Sequence, residues 1–111
     1  MRVYIYACES SYQGLHGIEK SCVCDVRSID EANEIGREMS EEVFYDFIDE
    51  EEYINENGEI DYDLVNETLC WEIWKIKDDF INIKDLDEIS YNAGRDSFIE
   101  EYCEGILNWE I

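Results

Sequence analysis

The chain has 111 residues, of which 45% are apolar and 14% aromatic, and its formal charge at neutral pH is −22. This apolar content excludes a disordered chain, and the length predicts one domain with a modest core. The sequence has no secretory signal pattern and no run of about 18 apolar residues, so we expect a cytoplasmic protein.

The first third of the sequence predicts a β-hairpin followed by a long helix. Residues 2–9 (RVYIYACE) form an alternating run rich in β-forming residues, and residues 18–26 (IEKSCVCDV) form a second strand pattern. Ser28 and Glu31 have the spacing of a capping box, which predicts a helix start. Apolar residues then recur at helical spacing as far as Phe47, with Phe44 at the edge of the apolar side.

The remainder predicts a second unit of similar order. The predicted elements are a turn at Asn57-Gly58, a short helix at 61–67, strands at 68–77 and 80–84, and a helical region at 85–108 that breaks near 94–97. The sequence therefore predicts an α+β fold in one domain, residues 1–111, of order ββα-ββα. An antiparallel sheet would pack against acidic amphipathic helices.

Two residue types predict how the helices and the sheet pack. Gly36 and Gly94 each lie in a helical pattern, where glycine costs about 1 kcal/mol relative to alanine, so we expect close packing against the sheet at both. Trp71 and Trp74 lie on opposite sides of the strand at 68–77. We expect one of them in the core and the other covering the opposite side.

The negative charge is concentrated in the middle of the chain. Residues 28–67 contain sixteen acids and one base, Arg37, so this segment carries −15 of the total −22. Residues 1–27 are neutral overall. Such asymmetry concerns partners and association rather than the fold.

On a helical wheel, seven acids of the predicted helix fall within one outer sector, with Arg37 at its edge. We call them the acidic face: Asp30, Glu31, Glu34, Glu38, Glu41, Glu42 and Asp49. Three like-charge pairs at i,i+4 spacing lie within this face, and each is destabilising by about 0.2–0.5 kcal/mol. Glu50, Glu51 and Glu52 extend the negative surface. These ten residues are the candidate partner-binding set, and Phe44 and Ile48 would add apolar area to it.

The sequence provides little support for catalysis or for a bound metal. His16 is the only histidine, and no nucleophile, P-loop or HExxH motif is present. Cys22 and Cys24 lie on one side of a strand, where Cys8 or His16 could join them in a zinc site. Their spacing matches no standard zinc pattern, so we expect a non-enzymatic protein without metal or cofactor. Whether this cysteine pair binds a metal stays open.

One family shows local similarity. "VYIYA" (3–7), Tyr12, Gly14 and "SIDEA" (28–32) resemble the start of ArdA-type antirestriction proteins, and "AGRD" (93–96) has a counterpart near their C-terminus. ArdA chains are longer and have several domains. The resemblance implies a surface that mimics DNA in charge and shape and inhibits restriction enzymes.

These observations favour an inhibitor that occupies the basic groove of a nucleic-acid-binding defence protein, such as a CRISPR effector or a restriction enzyme. Direct binding to nucleic acid or to a membrane is not expected. Two alternatives stay open at this point. One is an immunity protein that neutralises a basic nuclease toxin, and the other is an acidic structural or regulatory domain without an electrostatic partner.

Overall fold

The computed structural model describes residues 1–9, 19–47, 54–64 and 69–110. Four strands and three α-helices are assigned within these ranges, together with a 3-10 turn and a helical turn at 62–64. In chain order the elements are β1 Arg2–Glu9, β2 Glu19–Asp25, α1 Ile29–Phe47, β3 Leu69–Ile76, the 3-10 turn Asp78–Phe80, α2 Leu86–Ala93, α3 Arg95–Tyr102 and β4 Cys103–Glu110.

The strands form one sheet in the order β2-β1-β3-β4, and every neighbouring pair is antiparallel. β1 and β2 pair as the predicted hairpin, with Ile5 opposite Cys22. β3 lies on the other side of β1, with Ile5 opposite Ile73. The predicted α+β class and antiparallel sheet are therefore confirmed, and the predicted ββα-ββα order is roughly compatible with the observed one.

The sheet is covered on both sides, so its strands alternate between two apolar clusters. Val3, Ile5 and Ala7 of β1 belong to the cluster beneath α1. Tyr4 and Tyr6 belong to the cluster beneath α2 and α3. β1 is consequently buried from Val3 to Cys8, which explains why its sequence is more apolar than a half-exposed strand requires.

Helix α1 is fixed to the sheet by a close contact and by a buried hydroxyl. A Cβ on Gly36 would lie 2.5 Å from Cδ1 of Trp71, so the close packing expected at Gly36 is confirmed. Ser40 is fully buried, and its Oγ donates to the carbonyl of Cys8 and accepts the N–H of Cys70, both at 2.9 Å. The hydroxyl therefore satisfies two backbone groups of neighbouring strands.

The close packing against the sheet that was expected at Gly94 is not observed. Apart from its two chain neighbours, no described residue has an atom within 4 Å of a Cβ placed there, but its φ is +80°, a backbone conformation that residues with a side chain rarely adopt. Gly94 separates α2 from α3, which confirms the predicted break. Its requirement is thus conformational and not steric.

Two predicted elements differ in the structure. Residues 80–84 do not pair as a strand, because the chain forms the 3-10 turn and Arg2 then donates to the carbonyls of Ile81 and Ile83. The fourth strand is instead β4, in a segment predicted to be helical. The backbone groups of β4 bond to β3 in place of the bonds that a longer helix would form within itself.

Candidate functional site

Helix α1 begins at a capped end and packs one side against the sheet. Oγ of Ser28 accepts the N–H of Glu31 at 3.1 Å, which confirms the helix start predicted from their spacing. Ala32 and Ser40 are fully buried against the sheet. The opposite side of α1, which carries the acidic face, is therefore directed away from the core.

Six of the seven acids of the acidic face lie in the described part of α1, and none of them is buried. Asp30, Glu34, Glu38 and Glu42 are exposed, and Glu31 and Glu41 are half-exposed. The helix rises about 1.5 Å per residue, so the twelve-residue step from Asp30 to Glu42 spans roughly 18 Å. The structure therefore brings these six predicted residues onto one continuous surface.

Three of these carboxylates have a cationic neighbour, so the acidic face is partly neutralised within the chain. The ion pairs join Lys20 to Glu42 at 3.0 Å, Arg27 to Glu31 at 3.7 Å and Arg37 to Glu41 at 3.2 Å. The last two pairs follow from i,i+4 spacing, whereas the first depends on how the edge strand β2 lies beside α1. The side chains are all partly exposed, so each pair contributes little to stability.

Asp30, Glu34 and Glu38 have no ion pair among the residues that the structure describes. They succeed one another at i,i+4 spacing, so their Cβ atoms lie in a row about 5–6 Å apart. They form the part of the acidic face that is free to attract an external cation. We call these three residues the acidic row.

The apolar component of this surface differs from the predicted one. Phe44 is fully buried in the cluster beneath α1 and offers no surface to a partner. Tyr45 is 44% exposed, and its ring packs edge-on against Phe44 with centroids 5.1 Å apart. Tyr45 lies between Glu38 and Glu41 on the helical wheel, so the sequence contained the signal that identifies it.

An open groove of about 530 Å³ begins at the acidic row and runs toward the sheet. Its lining residues are Asp30, Asn33, Glu34, Arg37 and Trp71. Oδ1 of Asn33 accepts hydrogen bonds from Nε1 of Trp71 at 2.9 Å and Nδ2 of Asn108 at 2.6 Å. These bonds hold the groove floor in place. Trp71 is buried and Trp74 half-buried on the other side, which confirms the division expected between them.

Asp49, Glu50, Glu51 and Glu52 lie outside the described residues, as do His16 and Ile48. Cys8 belongs to the cluster beneath α2 and α3, whereas Cys22 and Cys24 pack against the cluster beneath α1. Cys8 therefore cannot complete a site with them. In the described ranges, no three His, Cys, Asp or Glu residues are grouped to hold a metal. No helix in these ranges combines the length and apolar character needed to cross a membrane.

Comparison with known proteins provides no family assignment. No protein-family model matches the sequence, no curated protein is significantly similar, and no solved structure matches the fold significantly. The resemblance to ArdA-type proteins therefore stays a prediction.

Proposed function

We propose that this protein is a non-enzymatic inhibitor of a nucleic-acid-binding defence protein, of the anti-CRISPR or antirestriction type. It acts in the host cytoplasm and presents the acidic face of α1 to a basic groove that otherwise holds a nucleic acid backbone. The observation that supports this proposal best is the acidic row, three exposed carboxylates in line without a recorded cationic partner in the described chain.

The carboxylates of the acidic face are spaced along the helix much as phosphates are along a nucleic acid strand. Six carboxylates over roughly 18 Å amount to one per about 3 Å, three of them ion-paired within the chain, and each strand of DNA carries one phosphate per about 3.4 Å of helix axis. Arginines that bind phosphates would bind these carboxylates by the same charge-assisted hydrogen bonds. The net charge of −22 also repels nucleic acid itself, which favours a protein partner.

Tyr45 and the groove supply what a purely charged surface lacks. Interface energy is concentrated in a few well-packed anchors, among which tyrosine and arginine are enriched. Tyr45 offers an exposed ring beside the acidic row. The groove would accept a long basic side chain between the carboxylates of Asp30 and Glu34. Charge would then steer the encounter, and these two features would add specificity.

The test is a binding assay against purified CRISPR effectors, restriction enzymes and basic toxin nucleases, with and without competing duplex DNA. The test variant is Asp30→Asn/Glu34→Gln/Glu38→Gln. Asp79→Asn/Glu88→Gln/Glu100→Gln is the matched control, because it also removes one aspartate and two glutamate charges, but from exposed positions outside α1. We expect the test variant to bind a defence protein about 10–100-fold more weakly, from about 0.5–1 kcal/mol per charge.

The proposal also requires that wild-type binding weakens steeply with salt and that duplex DNA competes with it. Equal losses of affinity in the two triple variants would show that only the total charge matters, which would contradict a specific role for the acidic row. Binding restricted to the toxin nucleases would support an immunity protein in place of a defence inhibitor.

A further inference from the structure

Three sulfur-containing side chains lie on the side of the sheet beneath α1. Cys22 and Cys24 lie opposite Ile5 and Val3 of β1, and paired residues of antiparallel strands direct their side chains to the same side. Both cysteines therefore face α1, where they and Met39 pack against the same apolar cluster. All three are partly buried, so they are shielded from solvent but remain within reach of it.

The distances suit a shared metal ion. Sγ of Cys22 lies 3.7 Å from Sδ of Met39. Two sulfur ligands at about 2.3 Å from one ion lie about 3.8–4.0 Å apart at tetrahedral or trigonal angles. Cys22 and Cys24 lie two residues apart on the same side of β2, so their Cα atoms are about 6.6 Å apart. Both thiols can therefore reach one cation beside Met39.

A neighbouring carboxylate also favours a cation. Oδ1 of Asp87 accepts the N–H of Val23, the residue between Cys22 and Cys24, at 2.7 Å. The negative charge of this carboxylate attracts a metal ion to the site.

We propose that Cys22, Cys24 and Met39 form a binding site for a soft monovalent cation, Cu(I). Thiolate and thioether sulfur select such ions, and a three-sulfur set without a histidine or a fourth ligand in the described chain does not suit zinc, which takes four ligands in structural sites. Binding replaces the thiol protons by the metal, so up to two protons are released and no electron is transferred.

This site is separate from the acidic face. Met39 lies nine residues after Asp30, about half a turn around the helix, so its side chain is on the opposite side of α1 from the acidic row. A bound ion would join β2 to α1 beneath the helix and leave the acidic row accessible. The inference therefore does not depend on the proposed function.

The test is an anaerobic titration of the reduced protein with Cu(I) against a chromophoric Cu(I) chelator, with Zn²⁺ in a parallel series. We expect one tightly bound Cu(I) per chain and a preference for Cu(I) over Zn²⁺. Met39→Leu conserves volume and removes only the thioether, and Cys22→Ser and Cys24→Ser each remove one thiolate. Each variant should bind Cu(I) at least about tenfold more weakly, the loss seen even for groups that contact a ligand only indirectly.

Cys103→Ser is the matched control, because Cys103 is buried in the cluster beneath α2 and α3 and should not affect Cu(I) binding. A second measurement uses the wild-type chain alone. Cu(I) should protect Cys22 and Cys24 from alkylation, read by peptide mass spectrometry. Unchanged affinity in Met39→Leu, an equal loss in Cys103→Ser, or protection of Cys8 and Cys70 instead would each overturn the proposal.

Discussion

The two layers that cover the sheet use their carboxylates differently. Beneath α3, Glu72 accepts hydrogen bonds from Arg95 at 2.7–3.0 Å and from Nε1 of Trp74 at 3.3 Å. Asp87 of α2 accepts the N–H of Val23, on the outer edge of β2, at 2.7 Å. On α1, by contrast, the acidic row faces solvent.

This difference shows that acid content alone does not identify a binding surface. Glu72 has a structural role, because its ion pair with Arg95 joins β3 to α3. The guanidinium of Arg95 also lies 5.1 Å from the ring centre of Tyr6. The hydroxyl of Tyr91 donates to the carbonyl of Ser21 at 2.6 Å, so α2 covers the edge of β2. Only carboxylates without such a role are available to a partner.

The largest expected change in stability concerns the core, where the two helical layers should be equally sensitive to the loss of a buried side chain. Phe98 of α3 and Phe44 of α1 are both fully buried. We expect Phe98→Ala and Phe44→Ala each to lower the free energy of unfolding by about 3–5 kcal/mol, because each leaves a cavity. Denaturant unfolding measures this. A loss below about 1 kcal/mol in one variant would show that its helix is not docked as described.

The next effect concerns Glu72, whose side chain is 15% exposed. Glu72→Gln replaces one of the two carboxylate oxygens that accept from Arg95 with an amide NH₂, so the negative charge and the hydrogen bonds to that oxygen are lost. We expect a loss of about 1–3 kcal/mol in unfolding free energy. Glu38→Gln is the matched control on α1 and should not destabilise the protein. Equal effects of the two changes would remove the distinction between the layers.

The sequence predicted the parts of this molecule that depend on local pattern. The β1–β2 hairpin, the start of α1 at Ser28 and the break at Gly94 follow from alternation, capping and glycine chemistry. The helical period also predicted the acidic face, and six of its carboxylates lie on the solvent side of α1 in the structure.

The remainder depended on contacts between distant segments. β4 was predicted to be helical because Phe98, Tyr102 and Cys103 follow one another at helical spacing, and only pairing with β3 makes the second half of that pattern a strand. The neutralisation of Glu42 by Lys20 joins residues 22 positions apart. The contact between Cys22 and Met39 depends in the same way on α1 crossing the sheet.

A smaller effect depends on pH and concerns the layer beneath α3. Burial raises the pKa of the Cys103 thiol from 9.0 to about 12, against a smaller opposing effect of Lys77. Because the folded value is the higher one, the stabilisation is complete below about pH 9 and is lost as the pH rises toward 12. Between pH 8 and 10 we expect this thiol to account for about 1.4 kcal/mol of lost stability.

Urea unfolding of the wild type and of Cys103→Ala at pH 8 and 10 isolates this contribution. The cavity left by the substitution lowers the free energy of unfolding equally at the two pH values. The change in this free energy from pH 8 to pH 10 therefore differs between the two proteins only by the contribution of the thiol. Parallel losses in the two proteins would show that Cys103 does not titrate differently on unfolding.

The smallest effect has the opposite sign and concerns the acidic row. Glu34 takes part in like-charge i,i+4 pairs with Asp30 and with Glu38, each destabilising by about 0.2–0.5 kcal/mol. Glu34→Gln should therefore raise the free energy of unfolding by about 0.4–1 kcal/mol at low ionic strength. The gain should vanish near 1 M salt, where the screening length is about 3 Å. A stability loss at low salt would mean that Glu34 serves the fold as Glu72 does. A gain would show that a repulsive surface is retained despite its cost to stability, as expected of a surface that binds a partner.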